Sequence, residues 1–513
     1  DNDGKFFILN VPPGTYTLVA QMIGYTPQEL QKVKVSVDLT TTVNFALSTQ
    51  VLDIGKEITV IAERPMIQRD ATASAAIVTS SEIKVSPVET FIEVVQNKAG
   101  VTVDRAGEIH IRGGRADEIV YLVDGVANID PFDSKLGVEI STNAIEELSV
   151  ISGSFNAEYG QALSGVINIV TKEAPKKYNG SISFQSGDLL TDYEIELLPE
   201  IRDEAKKIDL LNSSEIEASF GGPVPGIKSS LAFFTSGRYY DDRGYLFGKR
   251  IHRTTDYADS VQTGDSKIIS MNPRHQFNIQ NKLVYIINPA MRLHYTNMVH
   301  YQEWQNYSHS RKYLVDGHLN YFERGDRHSL KLTHQISSRS FYTINAAYQW
   351  KKYWYYAYKD PTDPRYVWAG YYKQDSNYEF YTGGTENNRL VQNSVSFLGK
   401  FDITSQIGNN HEVKFGLEAK RHELYQHDYY LNVDQKAEPF TDTNGNGVYD
   451  EGESFVDIDL NGEWTPEKDD NNDGIPGNII EAVGRLNNKY RRKPVEFSAY
   501  IQDKIELADM VIN

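Results

Sequence analysis

Along the second half of the chain, apolar and polar residues alternate one by one in stretches of eight to twenty residues. Val413, Phe415, Leu417 and Ala419 interleave with Lys414, Gly416, Glu418 and Lys420. Val395, Phe397, Phe401 and Ile403 interleave with Ser394, Ser396, Lys400 and Asp402, and Phe497, Ala499 and Ile501 with Glu496, Ser498, Tyr500 and Gln502. A period of two with one apolar face predicts half-buried strands. They are expected at 178–187, 213–222, 230–242, 275–288, 290–303, 327–336, 339–354, 391–405, 411–427 and 495–507. Asp503 falls on the apolar phase and is set down to a membrane interface.

The connections decide between a soluble sandwich and a membrane barrel. Short turns (Gly222–Ser229, Asn288-Pro289, Ser337-Ser338, Gln406–Asn410, Ala508-Asp509) alternate with long polar segments at 188–212, 243–274, 304–326, 355–390 and 428–494. Such parity belongs to outer-membrane barrels, with short turns inside and long loops outside. Trp350–Tyr356 then sits where a strand leaves the outer leaflet and reads as an aromatic girdle, while Tyr366, Trp368, Tyr371 and Tyr372 on the following loop are open to ligand stacking.

The first half reads differently. Short strands are expected at Phe6–Leu9, Tyr16–Met22, Val33–Val37 and Val43–Leu47, with a turn at Pro12-Pro13-Gly14. Thr90–Ala99 has helical spacing at Phe91, Val94 and Val95, and β-prone segments follow at 109–111, 119–123, 145–151 and 165–171.

Composition changes the picture in three ways. Aromatic residues make up 12 % of the 513 residues, including 33 tyrosines, and the net charge is −18, which disfavours nucleic acid and anionic lipid headgroups as partners. Cysteine is absent, which removes disulfides, thiolate metal sites and cysteine nucleophiles. Nowhere is there an apolar run long enough for a membrane helix, which leaves a closed barrel as the way across a bilayer.

Gly4-Lys5-Phe6 with Asn10-Val11-Pro12-Pro13-Gly14-Thr15-Tyr16 resembles the carboxypeptidase regulatory-like β-sandwich, a non-catalytic module, expected here as its later strands at 1–49. The series Ile109-His110-Ile111-Arg112-Gly113-Gly114-Arg115, Ile119–Val126 with Asp124-Gly125, Ala144–Ile151, Asn156–Gly160 and Gly165–Lys172 resembles the plug of TonB-dependent outer-membrane receptors. Ser152-Gly153-Ser154 stands where many members have Arg-Gly-Pro, so no role is carried over for that arginine. The glycines at 113–114 lack the Gly-Lys-Ser/Thr of a phosphate loop and are assigned to tight turns and a close plug–barrel approach.

The resemblance implies a mostly β chain in four parts: a truncated β-sandwich extension (1–49), a linker with a candidate TonB box (50–62), an α+β plug domain (63–175) and a partial antiparallel transmembrane β-barrel (176–513). Members close with about 22 strands, so the chain is expected to be cut at both ends. In the box, Glu57, Ile58, Thr59, Val60, Ile61 and Ala62 are the expected TonB contacts, on the periplasmic side with the rest of 1–62. The function implied is TonB-driven import of an external ligand (peptide, glycan or chelated metal) by a protein in contact with outer-membrane lipid. The alternative is a plugged-barrel surface protein for adhesion or macromolecule export. A soluble calcium-dependent carbohydrate-binding or hydrolytic protein is disfavoured by the loop parity. No catalytic residues are assigned.

One motif points to a metal. Asp442, Asn444, Asn446, Asp450 and Glu453 occupy positions 1, 3, 5, 9 and 12 of a loop with Gly447 at position 6 and Val448 offering its carbonyl at 7. Two partial repeats follow, Asp457, Asp459 and Asn461, then Asp469, Asn471 and Asp473. Oxygen ligands at this spacing suit calcium, in a structural role in the external loop 428–494. The histidines at 294, 300, 309, 318, 328 and 334 lack ligand spacing and are read as scattered polar positions.

Overall fold

A computed structural model describes residues 4, 6–37, 39–49, 58–61, 74–86, 90–104, 107–153, 155–188, 208–227, 230–256, 260–369, 380–408, 410–438, 440–455, 457, 463–468, 478–481, 487–506 and 511–512. At the N-terminus β1 (Gly14–Ala20) pairs antiparallel with β2 (Gln28–Val35), and β3 (Ile58–Ile61) adds in parallel to the other edge of β2. The expected strands at Phe6–Leu9 and Val43–Leu47 do not form ladders. The segments lie together instead, with the Phe6 and Phe45 rings 6.2 Å apart, so apolar contact rather than backbone pairing joins them.

The plug is built on a five-stranded mixed sheet in the order β4 (Ser74–Thr79), β9 (Ile145–Ser152), β10 (Gly165–Thr171), β7 (Ile119–Val123), β8 (Val126–Ala127), in which β10 and β7 run parallel. Helices α1 (Ser80–Val85) and α2 (Phe91–Gln96) and the hairpin of β5 (Val101–Val103) and β6 (Ile109–Ile111) complete it. α2 starts where Thr90 accepts the Glu93 N–H on its side chain, and it turns Phe91, Val94 and Val95 inward. Those three pack on Ile145, Leu148, Ile167 and Ile169, and Met298 of the barrel wall joins the same core. Asp124 and Gly125 have φ of 51° and 83°, the double positive φ of a primed turn, which folds β8 back on β7.

The third sheet wraps around this plug. Its antiparallel order follows the chain: β11 (Asn179–Gly187), β12 (Ser213–Pro223), β13 (Leu231–Asp242), then, past the small external pair β14 (Phe247–Lys249) and β15 (Ile268–Ser270), β16 (Arg274–Asn288), β17 (Met291–Gln305), β18 (Asn320–Ser337), β19 (Ser340–Tyr356), β20 (Asn388–Ile407) and β21 (His411–Val433). β22 (Ile479–Glu481) and β23 (Asn487–Arg492) pair with the outer part of β21, β24 (Val495–Glu506) with its inner part, and β25 (Val511–Ile512) with β24.

All ten expected strands are present. Several are longer than the alternation indicates, β18 and β21 by the most. β18 begins at Asn320 rather than 327, because its outward positions Arg324, Asp326 and His328 are polar and hide the period. They are satisfied locally: Asn297 donates to Asp326 at 3.0 Å, and Tyr295 and His328 share a 2.7 Å hydrogen bond. β21 runs on to Val433. Asp503 is accounted for by His411 on the neighbouring strand, 2.8 Å away. The histidines likewise stand apart, His294 beside Glu173, His318 beside Glu386 and His328 beside Asp326.

Candidate functional site

The side chains of every second wall residue point at the plug and touch it at more than one height. Nearest the short turns, Lys282 of β16 is buried, with Nζ 3.1 Å from Glu173 Oε1, 3.4 Å from Asp124 Oδ2 and 3.3 Å from the Thr171 carbonyl. Asp124 is itself fixed, since its carboxylate accepts the Thr171 N–H at 2.9 Å and the Thr171 hydroxyl at 2.8 Å. Lys331 of β18 donates to the Asp124 carbonyl at 3.3 Å, and His294 Nε2 stands 3.5 Å from Glu173. Burial would raise the Glu173 carboxyl, but Lys282 and His294 outweigh it and hold it well below the ordinary glutamate range.

Further from the short turns, Lys351 of β19 lies 3.2 Å from Asp130 and 3.4 Å from Glu323, and Gln349 donates to the Ile129 carbonyl at 3.0 Å. The backbones come close here. A Cβ on Gly325 would lie 2.9 Å from Val138, and one on Gly137 2.3 Å from the Gln349 amide. The plug–barrel approach expected at Gly113-Gly114 is therefore made by other glycines, and Gly114 instead packs on Ser164 within the plug. Burial and the neighbouring Asp130 push the Asp133 carboxyl up. Across the plug, Lys414 reaches Glu158 at 3.3 Å and Gln502 accepts the Ala157 N–H at 3.1 Å. A cavity of about 1100 Å³ opens between the N-terminal sheet, the plug and the wall, with Lys282, Lys331, Lys400 and Lys414 along it.

Of the candidate TonB box, Ile58–Ile61 is extended, as expected, and Gln28 to Gln31 of β2 pair with it residue for residue. It is paired on one side, and within its described sheet it is the edge strand. Glu57 and Ala62 lie outside the described residues.

The first calcium repeat is curled into a compact loop. Asp442 accepts the N–H groups of Gly445 (2.6 Å), Gly447 (2.8 Å) and Asn446 (3.2 Å), and both glycines have positive φ. Glu453, 8 % exposed, accepts from the Thr443 N–H and hydroxyl and from the Asp450 N–H. Asp450 accepts the side-chain amides of Asn444 and Asn446. The Gly447 N–H holds Asp442 low, and the Asp450 and Thr443 N–H groups do the same for Glu453. Tyr449 stacks on Trp464 at 4.6 Å and Phe440 packs edge-on against both, so the loop has an aromatic core of its own. Of the two following repeats Asp457 is among the described residues, and Asp459, Asn461, Asp469, Asn471 and Asp473 lie outside them.

The aromatic run on β19 divides by face. Trp350, Trp354 and Tyr356 are in phase with the outward residues and match the expected girdle, but Tyr353 and Tyr355 share the phase of Gln349 and Lys351 and face the lumen. On the loop, Tyr366 is buried and bonded to Arg389 at 2.8 Å, a packing role rather than an open stacking position. Tyr371 and Tyr372 lie outside the described residues. Sequence reasoning missed the plug–wall lysines, whose signal was their place on the polar phase of strands next to an acidic plug.

A small mixed domain enclosed by an antiparallel sheet, with short turns at one end and long loops at the other, defines the class of plugged outer-membrane barrels. Residues 67–166 match the model of the TonB-dependent receptor plug domain, and residues 1–48 that of the carboxypeptidase regulatory-like domain. The TonB-dependent transporter Oar of Myxococcus xanthus is 26 % identical over 317 residues, covering 56 % of this chain and 29 % of its own. A vitamin B12 transporter, BtuB of Vibrio vulnificus, is 26 % identical over 132 residues, covering 24 % and 22 %. Among solved structures, the outer-membrane transporter YddB of Escherichia coli superposes with a TM-score of 0.56 at 11 % identity (84 % of this chain, 54 % of that one). The unliganded ferric citrate transporter FecA gives 0.53 at 13 % (86 % and 55 %). The chain thus spans about half the length of these solved transporters and under a third of Oar. Residues 67–166 are thus a plug domain of the TonB-dependent receptor kind within a barrel fold, and the relatives and solved structures that the chain resembles are outer-membrane transporters and receptors rather than enzymes.

Proposed function

We propose that the protein imports an external ligand across the outer membrane, driven by TonB acting on residues 57–62. One observation carries this reading. Among the described residues no backbone ladder joins the plug sheet to the barrel sheet. The plug is held by side-chain ties such as Lys282 to Asp124 and Glu173, which a pull can exchange without tearing a sheet. The names of the relatives, TonB-dependent and vitamin B12 transporters, support the same direction of work. As the chain has no cysteine, Thr59→Cys would be a unique thiol in it. In cells carrying a TonB with a single cysteine in its receptor-binding strand, a disulfide between the two is expected. No disulfide at any of positions 57–62 overturns TonB engagement there.

The loop at 442–453 is proposed to hold calcium for structure. Its side chains supply carboxylate and amide oxygens about a curled backbone, a donor set suited to a hard cation taking about six to eight oxygens. Asp442, Asn444, Asn446, Asp450, Glu453 and the Val448 carbonyl would hold the ion, with Asp457, Asp459, Asn461, Asp469, Asn471 and Asp473 serving the two following repeats. Bound there, calcium would neutralise crowded carboxylates outside the cell.

A further inference from the structure

Above the plug, the lumen face of the wall is organised in rows, because antiparallel pairing puts every second residue of each strand at a shared height. The uppermost row reads Trp304, Tyr321, Tyr355 across β17, β18 and β19. The row beneath it reads Gln302, Glu323, Tyr353, Gln392, Gln426 across β17 to β21. The phase is inward, since residues two and four places further along the same strands touch the plug: Met298 lies in its core, a Cβ on Gly325 would meet Val138, and Lys351 meets Asp130.

The aromatic rings form one connected surface. Trp304 stacks on Tyr321 at 5.6 Å, Tyr321 meets Tyr355 at 5.6 Å, and Tyr353 lies 6.2 Å from both Trp304 and Tyr355. These rings are half-buried by each other and by the strand ends. The amides are aligned beneath them: Gln392 donates to Gln426 at 2.9 Å, Tyr490 donates to the same oxygen at 3.2 Å, and Arg274 donates to Gln302 at 3.2 Å. The girdle cannot explain this surface, because the girdle rings Trp350, Trp354 and Tyr356 belong to the opposite face.

Charge narrows the ligand. Glu215, Glu217, Asp242, Glu323 and Asp428 on the wall, with Asp130 and Glu139 on the plug below, outnumber the cations Arg238, Arg274, Lys351 and Arg492 at these heights, so this side of the vestibule repels anions. A row of aromatic faces over a row of primary amides presents apolar rings beside groups that both donate and accept. A pyranose has the matching chemistry, with an apolar C–H face and a rim of hydroxyls that also donate and accept. We propose that the lumen surface of Trp304, Tyr321, Tyr353 and Tyr355, with Gln302, Gln392 and Gln426, is a binding site for a neutral oligosaccharide. The proposal rests on the receptor reading and names the class of its ligand.

The test uses the full-length receptor in detergent and titration calorimetry with maltohexaose, cellohexaose and chitohexaose, against a neutral hexapeptide and ferric citrate. At least one hexasaccharide is expected to bind saturably. Trp304→Ala and Tyr353→Ala should each raise its Kd at least tenfold, and Tyr353→Phe, which keeps the ring, less than threefold. Heat-modifiable migration checks that each variant is folded. Binding of none of the three sugars, affinity unchanged in the folded alanine variants, or binding of only the peptide or ferric citrate overturns the proposal. The disulfide between position 59 and TonB is scored in the same variants, so loss of that cross-link would count against import and not against the sugar site.

Discussion

Lys282 Nζ of the barrel wall stands 3.1 Å from Glu173 Oε1 of the plug, with the ammonium buried and the carboxylate half-exposed. A buried pair gains little over an apolar one, yet breaking it is costly because the partner is left charged and alone. Here one ammonium serves two carboxylates, so its removal leaves Asp124 with only the Thr171 hydrogen bonds and Glu173 with only His294.

Lys282→Met is therefore expected to loosen plug docking, by less than the about 3–5 kcal/mol of a fully buried pair. Hydrogen exchange should quicken in β7 and β10 while the barrel strands stay protected. Unchanged exchange across the plug would show that the pair does not hold it.

The same pair sets a pH response. The Glu173 carboxyl is depressed in the folded state, so its contribution is fully present above the unfolded value and is lost as pH falls through the depressed one. Plug protection attributable to Glu173 should persist through pH 4.5, the ordinary glutamate value, and weaken only below it. Glu173→Gln should abolish that acid limb, and a limb that survives the substitution assigns it to another group.

The glycine contacts make a steric prediction. Gly325→Val adds bulk against Val138, already 2.9 Å from a bare Cβ, and overpacking of this kind costs about 1–3 kcal/mol. Thermal unfolding monitored on the plug should show the loss, and Val138→Ala in the same chain should recover part of it. Absence of recovery would mean that the two positions do not meet.

For the external loop, Glu453→Gln should lower calcium affinity at least tenfold from a Kd of about 10⁻⁴–10⁻³ M. Chelation should speed proteolysis within 428–494 in the parent protein. Equal cleavage with and without chelator, together with no calorimetric heat, removes the calcium assignment.

At the TonB box, proline at Thr59 or Ile61 removes a ladder donor and restricts the backbone, so each should weaken TonB pull-down several-fold. Full binding by both variants would exclude strand addition at these residues.

Much of this was legible in the sequence where one face is apolar. The barrel strands were found because lipid on one side and a wet lumen on the other impose a strict period of two, and their ends were set by turn residues such as Asn288-Pro289. The start of β18 was hidden because Arg324, Asp326 and His328 are outward yet polar, and their compensation by Asn297 and Tyr295 comes from a strand more than twenty residues away. For the site, the calcium spacing was visible because its ligands are consecutive in the chain. The plug ties and the aromatic row were not, because Asp124 and Lys282, or Trp304 and Tyr321, become neighbours only once the strands have paired around the plug. Inside the run Trp350–Tyr356, composition suggested a single girdle, whereas strand geometry sends alternate rings to opposite sides.

The wall strands also outrun the bilayer. A tilted membrane strand needs about 9–11 residues, whereas β21 has 23, and its outward apolar run from Val413 ends at Ala419. Trp354 of the girdle aligns through Val391 with His427 of β21, and the residues beyond, rising about 3.4 Å each at a tilt near 45°, carry the rim on the order of 15 Å above the girdle. The barrel mouth therefore opens like a chimney above the membrane plane rather than at it. On the import reading proposed above, a ligand would be captured at that height and then descend a shaft whose length follows from strand length.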